Sequence, residues 1–214
     1  MTIDETNMRA LGIRDKLKRE QDDVRNLIDI TLNPIPPFIG SNKIRLLVIG
    51  QDPAIRDEAK RKNIRVTLSL DREGSLRQYI SQIFPIKHIY ATNVFKYFYT
   101  VPPSDTLDVL QRHLQPNLEL IMEEVNKYPG APIITLGEPV LKLLATAGSR
   151  KVRDYWGYNT KTGKTTGIFA HCLTGNSRLN RSFYPFPHQP SLRKQFYRNT
   201  LGSYIDYFRG DTHL

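Results

Sequence analysis

Four short apolar runs, each broken off by a glycine, a proline or a polar residue, constrain this chain more than any other feature: Ile44 to Ile49, His88 to Thr92, Pro132 to Leu136 and Ser182 to Pro187. They favour β-branched and aromatic residues and are too short for ordinary helices, as buried strands of a parallel sheet are. Apolar residues at helical spacing lie between them, over Arg56 to Lys62, Ser75 to Phe84, Thr106 to Lys127 and Glu138 to Ala145, and a last helical stretch runs from Ser191 to Phe208. Strand and helix thus alternate at βαβ spacing, which predicts an α/β fold: a single domain with a central four-stranded parallel sheet flanked by helices on both faces. Residues 9–30 carry a further helical pattern that Asn33-Pro34-Ile35-Pro36-Pro37 stops. Residues 1–37 therefore read as a helical extension and proline-rich link, and residues 38–214 as the domain. Residues 148–166, rich in Gly, Lys and Arg, fit no period and are expected to form a mobile surface loop.

A chain of 214 residues suits one well-packed core. The single cysteine, Cys172, allows no internal disulfide and cannot alone build a cysteine-ligated zinc or iron–sulfur site, so it is expected to be a small core residue in a reducing compartment. No stretch approaches the roughly 18–20 apolar residues of a membrane span, and the charged N-terminus lacks a signal-peptide core. A soluble intracellular protein is expected. Lys and Arg outnumber Asp and Glu by 31 to 21, a net charge of +10, which favours a polyanionic partner, nucleic acid ahead of an anionic membrane surface. The basic residues recur along the chain, at Lys60-Arg61-Lys62, Arg150-Lys151-Val152-Arg153, Arg178, Arg181 and Arg193-Lys194, as they would on one charged face of a folded domain. Gly163-Lys164-Thr165 resembles the end of a phosphate-binding P-loop, but Tyr158 stands where that pattern needs glycine and no strand precedes it.

Each strand ends in something polar: Gln51-Asp52 after the first, Asn93 after the second, Gly137-Glu138 after the third and His188 after the fourth. In open α/β sheets ligands bind beyond that edge, where loops are held by a rigid frame. Singly, each residue has a structural alternative. Asp52 is well placed to cap the next helix, Asn93 to bond its own turn, and His188 to be a structural histidine between two prolines. Together they describe a small-molecule or nucleobase pocket.

The motifs GQDP (50–53), IYATNVFK (89–96), IITLGEPV (133–140) and FPHQPSL (186–192) come in the order and at roughly the spacing of the uracil-DNA glycosylase superfamily, which the chain resembles over residues 38–208. The resemblance implies that family's four-stranded parallel sheet. It also implies roles: Asp52 for the acid that activates water and stabilises the cationic sugar, His188 for the imidazole that hydrogen-bonds the departing base, and Asn93 for the amide that pairs with the flipped base. Gln51 would line the base pocket, and Leu68, in VTLSL, would stand where the family has a stacking phenylalanine. Leu192 falls near the residue that wedges into the duplex, while Ser104, Gly137, Ser191 and Arg193 would contact the DNA backbone.

The implied chemistry suits these residue types. Cleaving the bond between sugar C1′ and a base nitrogen leaves positive charge on the sugar and negative charge on the base, to be met by a carboxylate and a hydrogen-bond donor. An amide presents both the donor and the acceptor that an imide edge requires. The nucleotide must leave the stack, at a cost of a few kcal/mol, and basic residues supply sequence-independent phosphate binding. The sequence departs from the family in three ways. Ala54-Ile55 replace the Tyr-His that follows GQDP in one branch, Leu68 replaces the aromatic ring, and the four cysteines of the iron–sulfur branch are missing. The expectation is a monomeric, monofunctional DNA glycosylase acting on uracil or another deaminated base in single- or double-stranded DNA, with no metal or organic cofactor. The alternative is a catalytically silent member that binds nucleic acid or protein through its basic face. A nucleoside hydrolase ranks third, since a small substrate does not require so broad a basic surface.

Overall fold

The structure, a computed structural model, describes residues 2–20, 27–53, 58–100, 107–146 and 150–214. Its strands in chain order are β1 (Phe38–Ile39), β2 (Leu46–Gly50), β3 (Ile89–Asn93), β4 (Ile133–Leu136) and β5 (Tyr184–Phe186). Its helices are α1 (Ile3–Glu20), α2 (Glu58–Arg61), α3 (Ser75–Ile83), α4 (Leu107–Arg112), α5 (Leu114–Asn126), α6 (Glu138–Leu144), α7 (Val152–Tyr155) and α8 (Gln195–Thr212). The strands form one sheet in the order β1-β3-β2-β4-β5. β3, β2, β4 and β5 run parallel, as the apolar runs predict, and β1 pairs antiparallel to β3. The expected four-stranded sheet is therefore a five-stranded mixed one. β1 escapes a pattern search because two residues after a proline-rich link carry no period.

Every residue of β2, β3 and β4 is buried, and each buried Val, Leu or Ile stabilises the fold by about 1.5–3 kcal/mol. Tyr90 and Thr92 of β3 meet Glu124 of α5, whereas Tyr184 and Phe186 of β5 pack against Phe208 of α8. The register sets Tyr184 beside Ile134, Ile134 beside Val48 and Val48 beside Ala91. Since Ala91 faces away from Tyr90 and Thr92, α5 and α8 cover opposite faces. Among the described residues no helix is long and apolar enough to cross a membrane.

Other local expectations are revised. The helix expected over 106–127 is two helices that break at His113, because Pro116 offers no N–H to the Arg112 carbonyl four residues earlier and its ring crowds that oxygen. Among the described residues the first helix covers Ile3–Glu20, and Ile28, expected on its pattern, lies in a bridge to Tyr99. Residues 150–166 hold α7, the buried Trp156 and a turn in which Tyr158 bridges Thr165. The Asn159 carboxamide accepts from the Lys161 and Thr162 amides, and Gly163 takes φ +68°, so this stretch is an Asx turn closing a hairpin. The closing helix starts at Gln195, after a 3-10 turn over Gln189–Arg193. Cys172 is buried, as expected.

A charged pair ties these layers together. Lys96 and Glu124, 1% and 0% exposed at their side chains, meet at 2.5 Å. Lys96 Nζ also donates to Thr92 Oγ1 and the Asn93 carbonyl, and the Tyr90 hydroxyl donates to Glu124. Removing one partner leaves the other charge buried and uncompensated, which costs about 3–5 kcal/mol. Lys96→Met is therefore expected to lose about that much unfolding free energy, read from the urea midpoint at unchanged slope.

Candidate functional site

The register levels the strand ends. Gly50 lies beside Asn93, Ile49 beside Thr135 and Leu136 beside Phe186, so Gln51-Asp52, Asn93, Gly137-Glu138 and His188 leave the sheet at one edge. β2 and β5 are two strand spacings apart, so the strand ends from which Asp52 and His188 depart are about 10 Å apart, a separation one ligand can bridge.

Closeness at Gly50 adds Leu68. A Cβ on Gly50 would fall 2.3 Å from Asn93 Oδ1 and 2.9 Å from Leu68 Cδ2. Only glycine lets the Asn93 amide and the Leu68 side chain lie against the end of β2. Leu68 and Ser69 hold this position with left-handed φ of 58° and 49°, a conformation that side chains disfavour and that clusters at functional sites. Gly137 plays a similar part at β4. With φ +92° it turns the chain so closely past His188 that an added Cβ would sit 3.3 Å from the histidine Cβ.

Asp52 is 9% exposed, yet among the described residues neither carboxylate oxygen has a hydrogen-bond partner. The amides it would cap as the start of the next helix lie outside the described residues. Burial of the unpartnered carboxylate pushes its pKa up to about 7. Asn93 Oδ1 and Gln51 Nε2 are likewise buried without a partner, as is Glu138 Oε2, although Glu138 Oε1 accepts the Val152 amide at 2.8 Å. Of nine such side-chain atoms among the described residues, five belong to Gln51, Asp52, Asn93 and Glu138. Native interiors rarely leave polar atoms unpaired, so their concentration at one edge makes it the candidate site among the described residues.

The His188 ring is solvent-accessible, makes no hydrogen bond among the described residues, and has its pKa lowered by the part that is buried. Burial thus favours the uncharged imidazole. The Tyr79 hydroxyl donates to the Pro187 carbonyl at 3.2 Å and the Trp156 indole to the Pro185 carbonyl at 2.8 Å, fixing the strand that carries it. Ser191, Leu192 and Arg193 follow in the 3-10 turn, with Leu192 packed partly against the core and Arg193 exposed. Ser104 and Ala54 lie outside the described residues.

Sequence reading misses what lies near Asp52. Phe95, Tyr97 and Tyr99 form a buried aromatic cluster, and Tyr99 stacks on His113 with its hydroxyl 3.1 Å from His113 Nδ1. Burial raises the Tyr99 pKa, and the charges of Tyr97 and then Asp52 raise it further, which places the acid close to this phenol. The spacing of aromatics in FKYFYT was the available signal. Among the described residues no His, Cys, Asp and Glu side chains group as metal ligands do. No protein-family model matches the chain, and no curated protein matches its sequence.

The bare carboxylate makes stability depend on pH in a specific sense. Asp52 has a folded pKa of about 7, above its unfolded value of about 3.9. The folded state therefore holds the proton more tightly, and the associated stability is complete below pH of about 4 and lost as pH rises through about 7. Asp52→Asn removes this loss. Urea unfolding should show the variant more stable than the parent at pH 8, by on the order of 2–4 kcal/mol, with the difference much reduced at pH 4.

Proposed function

We propose that the chain is a DNA glycosylase of the uracil-DNA glycosylase type, which hydrolyses the bond between deoxyribose and uracil or another deaminated base turned out of DNA. The observation that carries this reading is the buried Asp52 carboxylate, without a hydrogen-bond partner among the described residues, at the same sheet edge as Asn93 and His188. Ionised, Asp52 lies where a sugar developing positive charge would be stabilised, and it can take a proton from the attacking water. The water oxygen bonds to C1′, the C1′–N bond breaks, and its electron pair leaves with the base. A neutral His188 donates a hydrogen bond to the oxygen on which that charge collects. The Asn93 carboxamide, held against Gly50, offers a paired donor and acceptor to the base edge.

Leu68 supports a second reading. The side chain against Gly50 and Asn93 is aliphatic, so a base here lacks the face of an aromatic ring, as in a member that binds nucleic acid without cleaving it. Labelled oligonucleotides with one uracil, hypoxanthine or xanthine, single- and double-stranded, separate the two readings when alkali is used to break abasic sites. The enzyme reading predicts breaks at one of these bases and a loss of about 10²-fold or more in Asp52→Asn. Because the acid acts ionised, kcat/KM should rise with pH and level off above about 7. Intact strands with every base, alongside salt-sensitive binding, would establish the silent member instead.

A further inference from the structure

Beyond Glu138 the sheet edge continues into two clefts that the excision chemistry does not use. One, of about 450 Å³, is lined by Lys142 of α6, Lys151, Arg153 and Tyr158 of the α7–hairpin segment, and Lys194 and Phe196 at the start of α8. The other, of about 470 Å³, lies between the hairpin tip and α8, with Lys164 and Asn199 on its walls. Gly163 and Phe196 line both clefts, so the two spaces adjoin at these residues. Each falls in the size range of sites for small ligands.

The charge is one-sided. Lys142, Lys151 and Lys194 are exposed and make no ion pair among the described residues. Arg153 meets Asp154 only at 3.9 Å, and its guanidinium lies 4.7 Å above the Tyr158 ring. Against these four cations the first cleft offers the single carboxylate of Glu138. The rings are positioned as well: Tyr158 meets Phe196 edge to face at 4.8 Å, and the hairpin's Asx turn fixes the wall opposite Phe196. A charged groove with flat aromatic surfaces at intervals is what an unpaired nucleic-acid strand requires, since cations follow its phosphates and rings stack on its bases whatever their identity.

We infer that these clefts hold two successive nucleotides of an unpaired nucleic-acid strand, one base on each side of Phe196, with the phosphates facing Lys142, Lys151, Arg153 and Lys194. The inference extends the proposed function, because the groove begins at Glu138, next to Gly137 and His188. It would hold the strand beside the flipped nucleotide in unpaired form, and so favour single-stranded or locally opened substrate.

The test is fluorescence anisotropy with a labelled oligothymidylate of twelve residues, which contains no deaminated base, over a range of salt concentrations. Lys142→Ala/Lys194→Ala, both at exposed positions, should weaken binding and lower the slope of log K against log salt by about 1.4, at about 0.7 per phosphate contact. Phe196→Leu keeps the apolar volume and removes the ring. It should weaken binding about 5- to 100-fold with the slope unchanged. These losses in a protein that excises no base would uphold the groove and overturn the glycosylase reading alone. An active glycosylase whose variants bind oligothymidylate with parental affinity and slope would overturn the groove alone. Equal binding of a blunt duplex with the same losses, or equally effective competition by thymidine monophosphate, would also overturn the assignment to an unpaired strand.

Discussion

The end of β3 is held from behind by the Lys96–Glu124 pair, and the geometry of the whole sheet edge depends on that anchor. Lys96 follows Asn93 by three residues, and its ammonium group returns to the Asn93 carbonyl and the Thr92 hydroxyl before meeting Glu124 on α5. Its own carbonyl accepts the Ile35 amide at 2.7 Å, so the proline-rich link is fastened at the same point. The Val94 and Phe95 amides reach the carbonyls of Gly50 and Gln51, both at 2.9 Å, which continues the β2–β3 pairing past the strand ends. An ion pair that breaks even energetically still fixes position, since few other arrangements of these chains satisfy both charges. Asn93 is thus immobilised through its backbone, leaving its carboxamide oxygen unpartnered beside Gly50.

Two buried aspartates show how differently one fold can treat the same group. Burial alone would raise the pKa of Asp29, but hydrogen bonds from Thr31 and then the charge of Arg61 outweigh it and the pKa falls. Arg61 meets Asp29 at 3.1 Å and also reaches the Thr100 carbonyl, so the pair clasps α2 to the ends of two other segments. Asp52 receives no such help, and burial alone sets its pKa. An acid satisfied by neighbours contributes to structure. One left bare and shifted toward neutrality sits in the range where proton transfer is efficient.

The parts of the fold legible in the sequence were those governed by local period. The β2, β3 and β4 runs alternate nothing because both faces of the sheet are covered, and so they stand out as unbroken apolar stretches. Asp52, Asn93 and His188 were legible for the same reason, since a residue just past such a run lies at the sheet edge whatever the rest of the chain does. Features that depend on distant partners were not legible. Lys96 and Glu124 lie far apart in sequence, and a lysine inside a motif gives no sign of being buried. Residues 148–166 were read as a surface loop from their Gly, Lys and Arg, but the order within the described part, set by the Asn159 carboxamide, Gly163 and the burial of Trp156 against Tyr204, was not legible. The break at His113 could have been found from Pro116, whose effect reaches back four residues.

What the edge costs is as informative as what it contains. Leu68 and Ser69 in left-handed conformations cost about 1–3 kcal/mol each, and unpaired buried polar groups such as those of Asp52, Asn93 and Gln51 cost about as much apiece. Together these penalties are comparable to the whole stability of an ordinary domain, about 5–15 kcal/mol. They are tolerated because the surrounding frame is over-determined: completely buried strands in the sheet, a charged pair behind β3, and the Trp156 and Tyr204 rings, with Tyr197 against Trp156, packed on Phe186 of β5. Were the edge only structural, substitutions relieving these costs would be favourable at every one of these positions. Asn at 52 would remove a desolvated charge, and Gly at 68 would remove a strained backbone. A bare acid, an unpaired amide and a strained leucine within one strand end thus give this edge a stability cost that the rest of the described sheet does not carry, which is what the proposed site would require.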